Sequence, residues 1–367
     1  MIPLSRPVLG SEEAQAVAAV LATGRLSQGE QVARFEALVA GYTGRKHALA
    51  VANGTAALRV ALEAIGVKAG DAVLVPDLTW PSPAHAVLDL GARPVLVDVD
   101  ERSWNVTPEG MAAARTPDVK AAIAIDQFGN PVRAQEIAAA LPGLPLIVDA
   151  ACSLGSHLGA RACGSLGVIA CLSFHPRKVL TTGEGGMCLT DDAELAARIM
   201  QLRNHGQAAP GKFACASGNY RMSEIAATIG AVQMSRLDAM VAEREELAQR
   251  YAQALSELPV QEAPQGARRN HQTFAVLLRP GCARDAIVEE LRARGVETAR
   301  LSYALHTLPQ LASCANEAAR AGRSFPVTTA LAERGLALPL WPGLGAAAQQ
   351  KVIETLRDVL KSPLYVG

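Results

Sequence analysis

A chain of 367 residues, half of them hydrophobic and 19% charged, has enough apolar material for a sizeable core, which excludes an acidic disordered chain and a collagen-like one. At about 150 residues per domain, this length leads to an expectation of roughly two domains. Lys plus Arg number 35 and Asp plus Glu 35, so the formal charge is zero and a role built on neutralising a nucleic-acid backbone is excluded.

The first two-thirds alternates short apolar runs with helical stretches, the pattern of a mostly parallel sheet flanked by helices. Strands are expected at His47 to Ala52, Ala72 to Pro76, Pro94 to Asp98, Ala121 to Asp126, Pro145 to Asp149, Ile169 to Phe174 and Gly186 to Thr190. Helical periodicity lies between them at Thr55 to Ile65, Ala84 to Leu90, Arg133 to Leu141 and Ala193 to Asn204. Strands of this kind are buried on both faces. From Ser223 to Leu258 an Ala/Leu/Glu/Arg-rich stretch predicts a long connecting helix. Beyond the polar segment Pro264 to Arg269 the rhythm becomes strand (Thr273 to Leu278), helix (Arg284 to Arg294), strand (Val296 to Arg300), loop and helix (Ala346 to Leu360), a smaller α+β unit.

The seven cysteines are odd in number and form no Cys-x-x-Cys pair or His-containing zinc pattern, which predicts a reduced, metal-free chain. Met1 to Gly10 has no secretory pattern, and charge-free stretches such as Cys163 to Pro176 are interrupted and too short to span a bilayer. A cytoplasmic protein without a membrane partner is expected.

Three segments can carry chemistry. In Val51 to Leu58 an apolar strand meets a Gly54-Thr55 turn that opens a helix, where free N–H groups and the helix dipole suit an anion; taken alone, these residues read better as a plain strand-to-helix turn with Thr55 near the cap. Pro145 to Asp149 delivers a carboxylate at a strand's C-terminal end, the edge where open α/β sheets bind ligands; Asp98 and Asp126 end neighbouring strands too, and a capping role for Asp149 is equally open. In Cys171 to Met187 a strand ends on Ser173, a turn with Pro176 follows, Lys178 comes five residues after the serine, and a Gly-rich turn leads into the next strand. A lysine at the mouth of a sheet beside a hydroxyl is the arrangement that forms a Schiff base with pyridoxal phosphate.

Taken together, Gly24 to Glu36, Asn53 to Leu58, Val75 to Trp80, Val97 to Asp100, Asp149 to Gly155, Ser173 to Met187 and Asn219 to Glu224 resemble the sugar aminotransferases of the DegT/DnrJ/EryC1/StrS group. These are pyridoxal-phosphate enzymes of fold type I. The resemblance implies an αβα sandwich with a mostly parallel seven-stranded sheet in a large cofactor-binding domain, residues 1–245, and a smaller C-terminal α+β domain, residues 246–367. It implies that Lys178 bonds to the cofactor aldehyde, Asp149 pairs with the pyridine nitrogen, Gly54, Thr55, Ala56 and Ser173 hold the phosphate, and Trp80 stacks on the ring. Asn219 matches a residue that reaches the phosphate from a neighbouring subunit, which implies a homodimer with shared active sites. Cys152 stands where the family often has Gln or His against the cofactor; a thiol is a weak donor and poor acceptor, so an altered contact is expected there.

Dehydratases of the group carry His where aminotransferases carry Lys, so Lys178 implies amino transfer, usually from glutamate to a keto sugar on a nucleoside diphosphate. Two alternatives remain at this stage: amination of a keto cyclitol or another cyclic ketone, and a non-catalytic pyridoxal-phosphate-binding regulatory protein. His175 reads as a residue that shapes the turn. Arg221 suits a substrate phosphate or a surface ion pair equally, and Tyr303 and His306 suit substrate contact or packing equally.

Overall fold

Seven strands, β1 (His47–Val51), β2 (Ala72–Pro76), β3 (Arg93–Val97), β4 (Val119–Ile125), β5 (Leu146–Asp149), β6 (Ile169–Ser173) and β7 (Gly186–Thr190), join in one sheet. The structure is a computed structural model that describes residues 1–362, so positions 363–367 of the expected small domain lie outside the described residues. The spatial order is β1-β7-β6-β5-β4-β2-β3. β7 runs antiparallel to both neighbours and the remaining pairings are parallel. Each expected strand is therefore present, and the sheet is the mostly parallel one that the alternating pattern predicts.

Both faces of the sheet are covered, and the strands show it with period two. Ala72 and Leu74 of β2 pack with Phe35, Val39 and Leu172 on one side. Val73 and Val75 pack with Leu58, Leu62 and Ile199 on the other. Each of the larger side chains among these, the Val, Leu, Ile and Phe, contributes about 1.5–3 kcal/mol on burial, which drives helices onto both faces.

The stretch Ser223 to Leu258 is two helices, Glu224–Met234 and Leu237–Ala254, where one was expected. Arg236 leaves the helical region at φ −112°, ψ 0°, and its guanidinium pairs with Glu13 of the helix Ser11–Thr23. Past the break Leu237, Met240 and Val241 still pack into the sheet layer, and the core changes only further along the second helix. Ala227 and Ala231 pack into the sheet layer, whereas Leu247 and Tyr251 join a separate C-terminal cluster.

That cluster is built on a three-stranded antiparallel sheet, with β8 (Phe274–Leu277) and β9 (Ala299–Arg300) on either side of β10 (Gly335–Leu338). The expected loop between Arg300 and Ala346 in fact holds the helices Ala312–Arg320 and Pro326–Arg334 and the central strand β10. Four residues, Gly335-Leu336-Ala337-Leu338, are too few to show a period in the sequence. Val296, the expected start of a strand, instead bridges Ile2. The 245/246 boundary falls inside the helix Leu237–Ala254, and Leu305, Leu311, Ala318 and Phe325 pack back against the large sheet.

No helix among the described residues is long and apolar enough to cross a membrane.

Candidate active site

Strand direction decides which residues meet. β1, β5 and β6 all point their C-terminal ends to one edge, so Val51, Asp149 and Ser173 finish side by side. In register, Val51 lies opposite Gly186 and Gly186 opposite Ser173. The chain leaving β1 must cross β7 to reach Ser173, and only a residue without a side chain lets it: a Cβ on Gly186 would stand 2.3 Å from the Asn53 carbonyl oxygen. Gly54 completes the approach, since a Cβ there would lie 2.8 Å from the Ser173 Cβ. The two glycines bring the N-terminus of the helix Gly54–Ala64 against the Ser173 hydroxyl.

Asn53 caps that helix by accepting from the Ala56 N–H at 2.8 Å. Among the described residues nothing accepts from the N–H groups of Gly54 and Thr55. The Thr55 hydroxyl is 2.8 Å from the Ser82 hydroxyl, which fixes the start of the helix Ser82–Leu88 beside it. Orphan amides, a helix dipole and hydroxyls on one rim form a cradle for a phosphate. Gly186 and Ser82 were not singled out in the sequence; the Gly185-Gly186 pair entering a strand was the available signal for the first.

Lys178 ends the turn after β6, its N–H donating to the His175 carbonyl at 2.8 Å. His175 is exposed, and its Nδ1 accepts from the Arg177 N–H at 3.2 Å, so it shapes the turn. The Lys178 Nζ reaches Cys152 Sγ at 3.1 Å, which puts the departure from the family pattern directly against the lysine. Asp149 is 5% exposed and accepts from the Ala151 N–H at 3.0 Å. Burial pushes its pKa up, while that hydrogen bond and the charge of Lys178 pull it back. A cation arriving at this buried carboxylate therefore finds a partner that gains from being ionised.

Asp126 is the neighbouring carboxylate, and its surroundings give it a different task. It accepts from the Ser153 hydroxyl at 2.6 Å and the Val132 N–H at 2.8 Å, pinning the turn that carries Cys152. Burial raises it from 3.8 to about 6, opposed by its hydrogen bonds to Ser153, Val132 and Cys163 and reinforced by the charge of Asp149. The native state thus holds this proton more tightly than the unfolded chain, and stability falls as pH rises from about 4 through about 6. Asp126→Asn keeps the shape without the charge, so urea unfolding should find it about 2–3 kcal/mol more stable than wild type at pH 8 and level with it at pH 4. A variant less stable than wild type at pH 8 would sink this account.

Trp80 is 60% exposed, not a core residue, and stands edge-on to Tyr303 with centroids 5.4 Å apart. Arg300 lies over the other ring of that pair, 5.4 Å from the Tyr303 centroid. His306 is engaged by a carboxylate: its Nδ1 is 2.5 Å from that of Asp77, which also accepts its backbone N–H at 2.8 Å. That clasp holds residues 303–304 against 78–79 as a two-stranded ribbon. Asn219 accepts from the Arg221 N–H at 3.3 Å, and Arg221 donates to Asn204 at 2.5 Å. Val51 bridges Arg221, so this segment borders the end of β1.

Comparison with known proteins agrees along the chain. A family model described as the DegT/DnrJ/EryC1/StrS aminotransferase family matches residues 7–357. The aminotransferase TlmJ from Streptoalloteichus hindustanus is similar at 33% identity, with 98% of this chain and 99% of that one covered and a TM-score of 0.90. A DegT DnrJ EryC1 StrS aminotransferase from Brucella abortus is 32% identical over 96% of both chains, with a TM-score of 0.87. DesV from S. venezuelae, solved in complex with a ketimine intermediate, is 30% identical over 96% of this chain and 95% of that one, with a TM-score of 0.88.

Proposed function

Since the chain belongs to the DegT/DnrJ/EryC1/StrS aminotransferase family, and is thereby a pyridoxal-phosphate-dependent transferase of fold type I, we propose that it moves an amino group from glutamate to a keto sugar carried on a nucleoside diphosphate. The observation that carries this reading is the convergence of Lys178, Asp149 and the Gly54–Ser173 contact at one sheet edge.

The donor set suits the cofactor group by group. The Gly54 and Thr55 N–H groups with the Ser173 and Thr55 hydroxyls would take the phosphate, and Ala56 would extend the dipole behind them. Asp149 would keep the ring nitrogen protonated, Trp80 would lie on the ring face, and Cys152 would stand near the ring beside Lys178. Asn219 of a second copy would complete the phosphate site, which makes the working unit a homodimer with shared sites. Residues 1–245 would bind the cofactor, and residues 246–367 would cover the acceptor side.

When bound, pyridoxal phosphate supplies an aldehyde for imine formation with the amine and a cationic ring that acidifies the substrate Cα–H. Lys178 would anchor the cofactor through its Nζ, and that Nζ, once free, would take the proton from the substrate Cα and hold it for return to the carbon two bonds away. Asp149 keeps its negative charge where the ring cation needs it, helped by the Ala151 N–H. The exposed Arg177 beside Lys178, together with the Trp80–Tyr303–Arg300 array at the rim, supports a phosphorylated carrier as acceptor.

The experiment is a two-step absorbance assay. Glutamate should shift the band from near about 410 nm to near about 330 nm, and a keto sugar nucleotide should restore it while a keto cyclitol does not. A spectrum unmoved by glutamate sinks the donor, and recovery by the cyclitol alone sinks the acceptor.

A further inference from the structure

A groove of about 470 Å³ lies between the helix Leu237–Ala254, the segment 260–269 and strand β8, and none of the residues assigned around Lys178 lines it. Its volume falls in the range of about 300–1,000 Å³ typical of small-molecule sites. One wall is apolar, formed by Trp104, Ala248 and Phe274, and the polar side carries the Arg269 cation, the neutral ring of His271 and the Arg268–Glu245 pair.

The charges there are not balanced. The Arg269 guanidinium is fixed only by neutral oxygens of Gln261, the carbonyl at 2.9 Å and Oε1 at 2.5 Å. Arg244, buried behind it, donates to the carbonyls of His271 at 3.1 Å and Leu340 at 3.3 Å. Among the described residues neither Nε–H has an acceptor. The acid that lines the groove, Glu245, is already held by Arg268 through bonds of 2.7 and 3.0 Å, and Glu243 is turned to the Gly343 N–H. Burial and the two guanidiniums push His271 down to about 3, so its ring is neutral and can donate a single N–H. His271 is also held at φ +44°, a conformation that a non-glycine residue adopts only when its surroundings impose it.

Arg269, a cation without a counter-charge beside an aromatic wall, calls for an anion with an apolar body. We propose that this groove is a second binding site, separate from the Lys178 site, for a small aromatic carboxylate, with Arg269 as its charge partner and Trp104 and Phe274 against its ring. A planar guanidinium fork matches a carboxylate in geometry as well as charge.

The test uses the cofactor-loaded enzyme and 1-anilinonaphthalene-8-sulfonate, an anion on an aromatic body, read by fluorescence. One saturable site is expected, with energy transfer from tryptophan that falls in Trp104→Phe, Trp80 and Trp341 remaining as donors. Benzoate should displace the probe and the neutral benzyl alcohol should not; phenyl phosphate displacing it better than benzoate would replace the carboxylate with a phosphate ester and overturn the assigned class. Arg269→Gln should weaken probe binding at least tenfold. Ala252→Phe, which fills the groove from the exposed helix face and leaves the charges alone, should do the same and serves if Arg269→Gln does not fold. Probe affinity within twofold of wild type in Ala252→Phe, or equal displacement by benzyl alcohol, would overturn the proposal.

Discussion

Replacing Lys178 by alanine is expected to abolish turnover, lowering kcat by about 10⁴-fold or more, while the protein folds and still holds the cofactor. General-base catalysis alone accounts for about 10²–10⁴-fold, and the lost covalent anchor adds to it. The fold should survive because, among the described residues, the half-buried side chain makes one hydrogen bond, the 3.1 Å approach to Cys152, and a change of this kind costs within about 1 kcal/mol. Borohydride treatment followed by mass measurement of the denatured chain separates the cases. Wild type should carry a cofactor adduct at residue 178, and the variant should carry none. A fully active Lys178→Ala protein would remove the basis of the proposed function.

For Asp149→Asn we expect a rate loss of about 10²–10³-fold in single-turnover reaction with glutamate, the scale of one preorganised electrostatic contact. The amide oxygen can still accept the Ala151 N–H, so the change removes charge and little else. Stability should move the other way. Burial raises the pKa of Asp149 in the cofactor-free chain, so its ionised form is penalised on folding and the neutral amide is not. The variant without cofactor should therefore resist urea at pH 7 at least as well as wild type. A slow enzyme that is also unstable would point to a structural defect, and near-wild-type rates would move the role to Asp126.

These two residues were legible in the sequence for different reasons. Lys178 stood out because of its surroundings: the serine five residues before it and the Gly-rich turn after it have no common structural purpose. Asp149 stood beside Asp98 and Asp126 as one of three acids ending strands, and the strand pattern could not choose among them. Packing separates them. Asp98 accepts from the Val327 and Thr328 N–H groups and Asp126 from Ser153 and Val132, whereas Asp149 lies within reach of the charge of Lys178.

Other features had no local signal. The opposition of Gly186 to Asn53 is a relation between residues 133 positions apart, and it exists only once β1 and β7 are in register. The Asp77–His306 clasp spans 229 positions and depends on the chain returning from the small sheet to the rim of the large one. The uncompensated Arg269 reads in the sequence as one more surface cation in Ala267-Arg268-Arg269, because a counter-charge, or its absence, is a fact of three-dimensional neighbourhood.

The sequence by itself determined the seven strands of the main sheet, the alternation that buries them on both faces, and the residue types gathered at their C-terminal ends. These follow from short-range causes: side-chain periodicity, turn chemistry and the local order of Ser173, Lys178 and Gly186. Tertiary structure alone decided where the connecting helix breaks, that the stretch before Ala346 supplies the central strand of the small sheet, and which carboxylates share a field with Lys178. The reason is that packing and electrostatics act through space, so burial, register and charge balance have no value until distant segments have met.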